Sequence, residues 1–287
     1  MKKIFFHSDL DGYVSCSIIK SVYRNSKCYE CRYNNRLPVT SYVSPGDFVI
    51  IVDYSFTPEE MFWLKANCRN VIWIDHHISA IKDSEKYGYD DLPGKRSIEF
   101  SGAELTWMFF YNDAIPEFIQ LVGSYDTFRE YGTKKFQEIV LPFYFGSEIF
   151  LQWLNPLNYG KKSYIFDFDR MDELKDRFIR LGQVIYNYKR ACCKKVNEYN
   201  AFVKNLFGFR VLCLNTCNPG SLDLIIPGTF DPEKHDMMLC YNFNGKQWDY
   251  GFYTNGHPEV DCSRIAKMYG GGGHKQAARA VTNKPIF

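Results

Sequence analysis

Four segments in the first half of the chain carry imidazoles and carboxylates at spacings that suit a pair of divalent metal ions: His7-Ser8-Asp9-Leu10-Asp11-Gly12, Asp53, Asp75-His76-His77 and Asp126. Phosphodiester hydrolysis by two metals needs a carboxylate shared between the ions, separate terminal ligands, and an oriented nucleophilic water, with the ions about 3.5–4 Å apart. These segments supply such parts. His7, Asp9 and Asp11 alternate, so in a loop leaving a strand tip their side chains can diverge toward two ions, while Gly12 allows a tight turn into the next helix. Mixed imidazole and carboxylate ligation suits Mn2+, or another borderline divalent ion, better than an all-oxygen Mg2+ site. A fifth segment, Gly270-Gly271-Gly272-Gly273-His274, frees the backbone to approach a ligand, and His274-Lys275-Gln276-Ala277-Ala278 after it predicts a helix start whose amides favour an anion. Each feature alone has a plain alternative. An aspartate after a strand is usually a turn or cap residue, adjacent histidines can cap a helix, and glycine runs also make linkers.

The elements that must position these residues are legible in the apolar pattern. Ile4-Phe5-Phe6 ends at His7, Phe48-Val49-Ile50-Ile51-Val52 at Asp53, and Val71-Ile72-Trp73-Ile74 at Asp75. Continuous β-branched and aromatic runs of this length predict strands buried on both faces, and the stretches 13–23 and 58–66 predict helices between them. That is a βαβ pattern with a parallel sheet, whose ligand crevice lies beyond the carboxyl ends of the strands. Thr57 is the N-cap for Pro58-Glu59-Glu60, and Ser101 and Glu104 have the spacing of a capping box. A helix over 115–122, with Pro116 in its first turn and Gly123 near its end, leaves Asp126 in the following loop, pointing back into the crevice. Residues 128–168 are dense in aromatics, for which core packing of linking helices is favoured over a base-stacking platform. Beyond them 169–203 reads as a charged connector helix, and 209–214, 237–243 and 248–253 as strands, with a hairpin turn at Asn242-Phe243-Asn244-Gly245.

At 287 residues the chain is long for one core and comfortable for two domains. Its net charge of +2 gives no broad basic field, so a nucleic-acid partner is short and gripped locally, and binding along a duplex is disfavoured. Ten cysteines, irregularly spaced, predict reduced thiols in the cytoplasm rather than a stapled secreted domain. Cys28-Tyr29-Glu30-Cys31 is a lone C-x-x-C without a second ligand pair and reads as structural. The basic start Met1-Lys2-Lys3 is followed by only three apolar residues, too few for a signal sequence, and no run of about 18 apolar residues could span a bilayer.

The motif set resembles the DHH phosphoesterase superfamily. Its first motif is similar to residues 7–12, its namesake triplet to Asp75-His76-His77, its second motif to Asp53 after a strand, and its fourth to Asp126 in Gly123-Ser124-Tyr125-Asp126. The resemblance implies that His7 and Asp9 ligate one metal, that Asp11, His76 and Asp126 ligate the second, and that Asp53 bridges them. It also implies that His77 contacts the scissile phosphate or assists proton transfer, and that Asp75 orients the histidines. The stretch 262–278, through the glycine run, resembles the signature of the DHH-associated C-terminal domain. By that match Gly271, Gly272, Gly273 and His274 face the substrate's terminal nucleotide, and Arg264 or Lys275 could meet a phosphate. One departure is Arg279, where the family usually has glycine: either the last strand begins differently or an extra cation lines the cleft.

The resemblance covers roughly 1–130 and 205–282 and implies an α/β fold: a parallel-sheet DHH-type catalytic lobe (1–130), a mainly helical linker (131–204) and a smaller α/β substrate-binding lobe (205–287). The pairing is most similar to nanoRNases and oligoribonucleases, so the implied activity is a manganese-dependent phosphodiesterase with two metal ions and a metal-bound hydroxide, removing mononucleotides from short single-stranded RNA. Two readings stay open beside it. One is a phosphatase or phosphodiesterase for small nucleotides, such as 3′-phosphoadenosine 5′-phosphate or cyclic and linear dinucleotides. The other is a scaffold that binds nucleic acid without catalysis.

Overall fold

The computed structural model describes residues 1–33, 38–158, 170–216, 230–254 and 256–287. It divides into two compact units, Met1–Ile185 and Tyr186–Phe287. The first is built on a parallel sheet of β1 (Lys2–His7), β2 (Lys27–Cys31), β3 (Phe48–Val52) and β4 (Asn70–Ile74), in the order β2-β1-β3-β4. Parallel neighbours need crossover connections, and α1 (Leu10–Val22) and α2 (Pro58–Asn67) supply them between β1 and β2 and between β3 and β4. Both faces of the sheet are covered, which is why the strands read as unbroken apolar runs. Phe5, Val49, Ile51 and Trp73 pack with Met61 and Leu64 of α2 on one face. Ile4, Phe6, Ile50 and Val52 on the other are completely buried, as are Ile18 and Ile19 of α1. Each such large side chain contributes roughly 1.5–3 kcal/mol by leaving water.

Strand register is what places the chemistry. Phe6 pairs with Val52 and Val52 with Ile74. The next residues along these strands, His7, Asp53 and Asp75, therefore emerge in one row at the carboxyl edge of the sheet. The predicted caps are present: Thr57 with Glu60 starts α2, and Ser101 with Glu104 starts α4 (Gly102–Phe110), each a reciprocal capping box. Between them lies α3 (Ile78–Tyr87), capped at its C-terminus by Gly88 in the left-handed conformation.

Two local expectations for this unit are corrected. Helix α5 spans Glu117–Asp126, so Asp126 is the last residue of a helix and not part of a loop. Pro116 sits outside that helix, as its N-cap. Strand β2, read from sequence only as a C-x-x-C, is a sheet member. Its residues 28 and 31 are an odd number apart and so face opposite sides. The Cys28 thiol lies 3.5 Å from that of Cys16 in α1, and Cys31 packs against the α2 side.

A linker of α6 (Leu141–Leu154) and α7 (Met171–Asn200) follows. Its described aromatics pack on one another: the Phe143 ring meets Phe118 at 5.1 Å and Phe178 at 5.8 Å. That is the core-packing outcome, although residues 159–168 of the aromatic stretch lie outside the described residues. The second unit carries a mixed sheet of β5 (Ala201–Leu206), β6 (Phe209–Asn215), β7 (Met237–Phe243), β8 (Trp248–Tyr253), β9 (Gly272–Gly273) and β10 (Ala277–Thr282), in the order β5-β6-β7-β8-β10-β9. The β7–β8 hairpin forms as expected, with Gly245 at a φ of 89° in its turn. A short helix α8 (Cys262–Lys267) leads into the glycine run. The expected helix after that run is absent: His274 lies in a tight turn, its amide donating to the Ala277 carbonyl at 2.7 Å, and the chain continues as β10. Among the described residues no helix is long and apolar enough to cross a membrane.

Candidate metal centre

The strand tips, the start of α1 and the end of α5 bring the sequence-selected side chains of the first unit together. Their donor atoms form three groups, each within 4.8 Å: His7, Asp9 and Asp53; Asp53, His76 and His77; and Asp11, His76 and Asp126. Asp53 and His76 each belong to two groups, so the whole is one connected cluster. His76 Nε2 lies 3.1 Å from Asp53 Oδ1 and 3.2 Å from Asp126 Oδ2, and His7 Nδ1 lies 2.5 Å from Asp9 Oδ2.

The local fold explains each placement. Asp9 is the N-cap of α1, its Oδ1 accepting the Gly12 amide at 2.9 Å. Asp11, only 2% exposed, is gripped from 91 and 92 residues away, because the first two amides of α4, Gly102 and Ala103, donate to its Oδ2 and Oδ1 at 2.7 and 3.0 Å. A helix N-terminus thus orients this carboxylate. Asp53 sits just past β3 with a φ of 53°, a left-handed conformation rare outside glycine and asparagine. Its amide is held by the Ile74 carbonyl at 3.0 Å. Asp75 is fully buried; its Oδ1 accepts from the amides of His76 and His77 and from His77 Nδ1 at 2.7 Å.

Three buried donor atoms, His7 Nδ1, Asp53 Oδ2 and Asp126 Oδ2, make no hydrogen bond. The close contacts of His7 and Asp126 fall off hydrogen-bonding directions, and a buried polar atom left this way is costly unless something else satisfies it. The charges agree. Burial pushes the Asp53 carboxyl well above its ordinary range, helped by Asp9, Asp11, Asp126 and Asp75, and Asp126 is raised in the same way, first by burial and then by Asp11 and Asp9. Asp11 is pushed up to about 7 by burial and by Asp9. So many carboxylates crowded out of water fit divalent cations, and the mixed imidazole and carboxylate set fits Mn2+. His77 is raised to about 9: burial opposes its charge, but the hydrogen bond and charge of Asp75 win.

Sequence reasoning passed over three contributors. Tyr33 lays its ring 5.3 Å from His7 and 6.0 Å from His77. Arg129 donates to the buried Glu104 at 2.6 Å, tying the base of α4 to the segment that follows Asp126. Gly102, between the two capping-box residues, lets α4 approach Asp53 and Asp11; a side chain there would begin 2.6 Å from Asp53 Cβ.

The remaining sequence-selected residues lie in the second unit. Arg264 is in α8, its amide donating to the Asp261 cap at 3.2 Å, and Lys275 Nζ donates to the Pro258 carbonyl at 3.3 Å. Arg279 falls within β10 and pairs through Nε and Nη2 with Asp249 of β8, which accounts for a cation at a position expected to be glycine. The glycines differ among themselves. A Cβ on Gly271 would lie 2.1 Å from the Arg279 carbonyl oxygen, and Gly273 has a φ of 141°, whereas a Cβ on Gly272 meets nothing within 4 Å. Gly271→Ala is expected to cost the protein about 2 kcal/mol or more of stability through overpacking, and Gly272→Ala to change it little, which thermal melting of the two variants checks.

Residues 3–124 match the sequence model of the DHH family, N-terminal domain. An uncharacterised protein, R106, of Acanthamoeba polyphaga mimivirus is 24% identical over 80% of this chain and 52% of its own length, so the chain spans about half of that curated relative. Among solved structures, the pGpG-specific phosphodiesterase PggH of Vibrio cholerae superposes with a TM-score of 0.53 at 13% identity, covering 99% of this chain and 94% of that one. RecJ of Thermus thermophilus, solved in complex with Mn2+, gives a TM-score of 0.54 at 14% identity, covering 98% of this chain and 49% of RecJ. Likeness at these identities speaks for the fold. His7, Asp53 and Asp75, in a row at the sheet's carboxyl edge, lie within the stretch that is similar to the DHH family, N-terminal domain.

Proposed function

We propose that this protein is a manganese-dependent phosphodiesterase that hydrolyses short RNA oligonucleotides. The observation that carries the reading is the connected cluster itself: three overlapping groups of donors sharing Asp53 and His76, with buried atoms that lack hydrogen bonds. His7 and Asp9 would hold one divalent ion, Asp11, His76 and Asp126 the other, and Asp53 both; when bound, the ions supply Lewis acidity toward the phosphoryl oxygens and acidify a water. His77, its Nδ1 fixed by Asp75 and its pKa raised to about 9, is a cation at neutral pH in the metal-free protein, suited to meeting a phosphate oxygen or giving a proton to the leaving group. Gly272, whose side-chain direction is open, and His274 are the parts of the second unit we assign to the nucleotide end, with Arg264 and Lys275 as its cations. The presence of a pGpG-specific phosphodiesterase among the structural relatives favours, as a second reading, a small linear dinucleotide as the main substrate.

The test is a time course with Mn2+ on end-labelled RNAs of two to about twenty nucleotides, beside 3′-phosphoadenosine 5′-phosphate and cyclic dinucleotides, with EDTA controls. Rapid EDTA-sensitive loss of the shortest RNAs is the expected result. Inert RNAs beside a consumed small nucleotide would transfer the assignment to that nucleotide.

Metal loading is expected to be proton-linked. A carboxyl whose pKa is raised on folding contributes stability that is full below its unfolded value, about 3.9, and lost as pH rises through the folded value. With Asp11 at about 7, the metal-free protein is therefore expected to lose stability between about pH 4 and pH 7. Adding Mn2+ at about pH 6.5 should release protons into a weakly buffered dye solution and restore the melting temperature. Metal binding without proton release would contradict the raised carboxyls.

A further inference from the structure

The β2 margin of the parallel sheet bounds a cavity of about 240 Å3 formed by residues of the first unit. Five consecutive residues, Cys28 to Arg32, line it. Successive strand residues point to opposite faces, so the four that belong to β2, Cys28 to Cys31, can line one cavity together only along the strand's backbone edge, and β2 is one of the two outer strands of its sheet. Amides and carbonyls along a strand edge that face away from the neighbouring strand can hydrogen-bond a ligand. Much of the lining, Tyr29 of β2 included, is aromatic. Phe5 and Tyr29 are stacked at 4.9 Å, Tyr42 stands edge-on to Tyr29 at 5.1 Å, and Tyr54 and Phe56 complete the lining. Leu157, 48% exposed, sits on the rim. At the mouth, Arg32 Nη2 donates to Glu30 Oε1 at 2.8 Å.

Two bridges join this cavity to the metal cluster. Arg32 Nε donates at 3.0 Å to the hydroxyl of Ser8, the residue between His7 and Asp9. Tyr54, the neighbour of Asp53, meets the Tyr33 ring at 4.9 Å, and Tyr33 in turn reaches His7 and His77.

We propose that the cavity is a nucleobase subsite that receives the base of a nucleotide flanking the scissile phosphate, an assignment that rests on the phosphodiesterase reading above. Its volume is below the roughly 300–1,000 Å3 of pockets for whole drug-sized ligands and matches a single planar ring system. Phe5, Tyr54 and Phe56 are buried, and the half-buried Tyr29 and Tyr42 keep the aromatic surface on which any base can stack. The strand edge, Glu30 and Arg32 offer acceptors and donors to the base's polar rim. A peptide strand added to β2 would use the same backbone edge, but nothing in such a partner would require the route through Ser8 and Tyr33 to the metal ligands.

The test uses the full chain and two readouts. In the first, alkylation of Cys31, whose side chain is on the face of Tyr29, Tyr42 and Phe56, by iodoacetamide is followed by peptide mass spectrometry with and without millimolar adenosine, which needs no metal and no turnover. Adenosine is expected to slow alkylation at least about threefold, and Leu157→Trp, whose indole fills the rim, is expected to abolish that protection. In the second, with Mn2+, an abasic replacement in a dinucleotide should raise KM about tenfold on the unaltered chain and leave KM unchanged on Leu157→Trp. Absence of protection overturns the subsite whatever the turnover shows, as does a KM indifferent to both base removal and Leu157→Trp. Protection without hydrolysis of any phosphodiester would leave the subsite standing and remove the phosphodiesterase reading instead.

Discussion

Asp53→Asn is expected to abolish metal-dependent turnover and yet raise the melting temperature of the metal-free protein at about pH 8. Asparagine is the informative replacement because it tolerates the left-handed φ of 53° found at this position, where alanine would add backbone strain. Asp53 is 1% exposed, and burial together with Asp9, Asp11, Asp126 and Asp75 lifts its carboxyl far above the usual range. A neutral amide of the same shape removes that repulsion from the metal-free fold. It also takes away a donor that two of the three groups share. Metal stabilisation of a phosphoryl transition state is worth several kcal/mol, and each 1.36 kcal/mol is tenfold in rate, so a loss on the order of 10^3-fold or more follows. Turnover in Mn2+, metal stoichiometry after desalting, and melting in EDTA are the three measurements. Wild-type turnover would remove Asp53 from the centre, and a lowered melting temperature would undo the electrostatic account.

Gly102→Ala should behave in the opposite way to most glycine-to-alanine changes at the start of a helix. Alanine is ordinarily favoured over glycine in a helix by about 1 kcal/mol. Here its methyl would lie 2.6 Å from Asp53 Cβ and 2.9 Å from Asp11 Oδ2, so either α4 retreats or both carboxylates turn. If α4 retreats, the amides of Gly102 and Ala103 no longer grip Asp11. Loss of such an orienting contact typically costs about 10–100-fold in metal affinity. The expected outcome is therefore a protein with a nearly unchanged circular dichroism spectrum that binds Mn2+ at least tenfold more weakly by calorimetry. Unchanged Mn2+ affinity would mean that α4 does not position the centre.

The first unit's strands were legible because their signal is strong and local. Ile4 to Phe6, Phe48 to Val52 and Val71 to Ile74 are buried on both faces, so every residue along them is apolar, and the polar residue that ends each run marks a strand tip. Strands β2 and β5 gave no such signal. β2 is exposed at Lys27 and half-buried at its other four positions, and β5 is exposed at four of its six, so neither carries a continuous apolar run. Asp126 was assigned to a loop because Gly123 suggested a helix end, but α5 continues through it. Ala277 and Ala278 are strong helix formers in isolation; pairing with Tyr253 and Phe252 of β8 overrides that preference. At the centre, the types and order of ligands could be read from the chain. What could not is the grip on Asp11 by amides more than ninety residues away, the approach of Gly102, and Tyr33 over the histidines, because each depends on tertiary contact and leaves no local pattern.

The first turn of α1 and the metal ligands are one object. Asp9 uses one carboxylate oxygen to cap the amide of Gly12 and the other to approach His7, and Gly12 itself lies so close to the His7 carbonyl that a Cβ would fall 2.2 Å from it. An ion that fixes the Asp9 carboxylate must also fix this turn. Amide hydrogen exchange at Gly12 and Tyr13 thereby becomes a local clock for occupancy of the site, slowing as the ion binds and quickening when it leaves, with no substrate required.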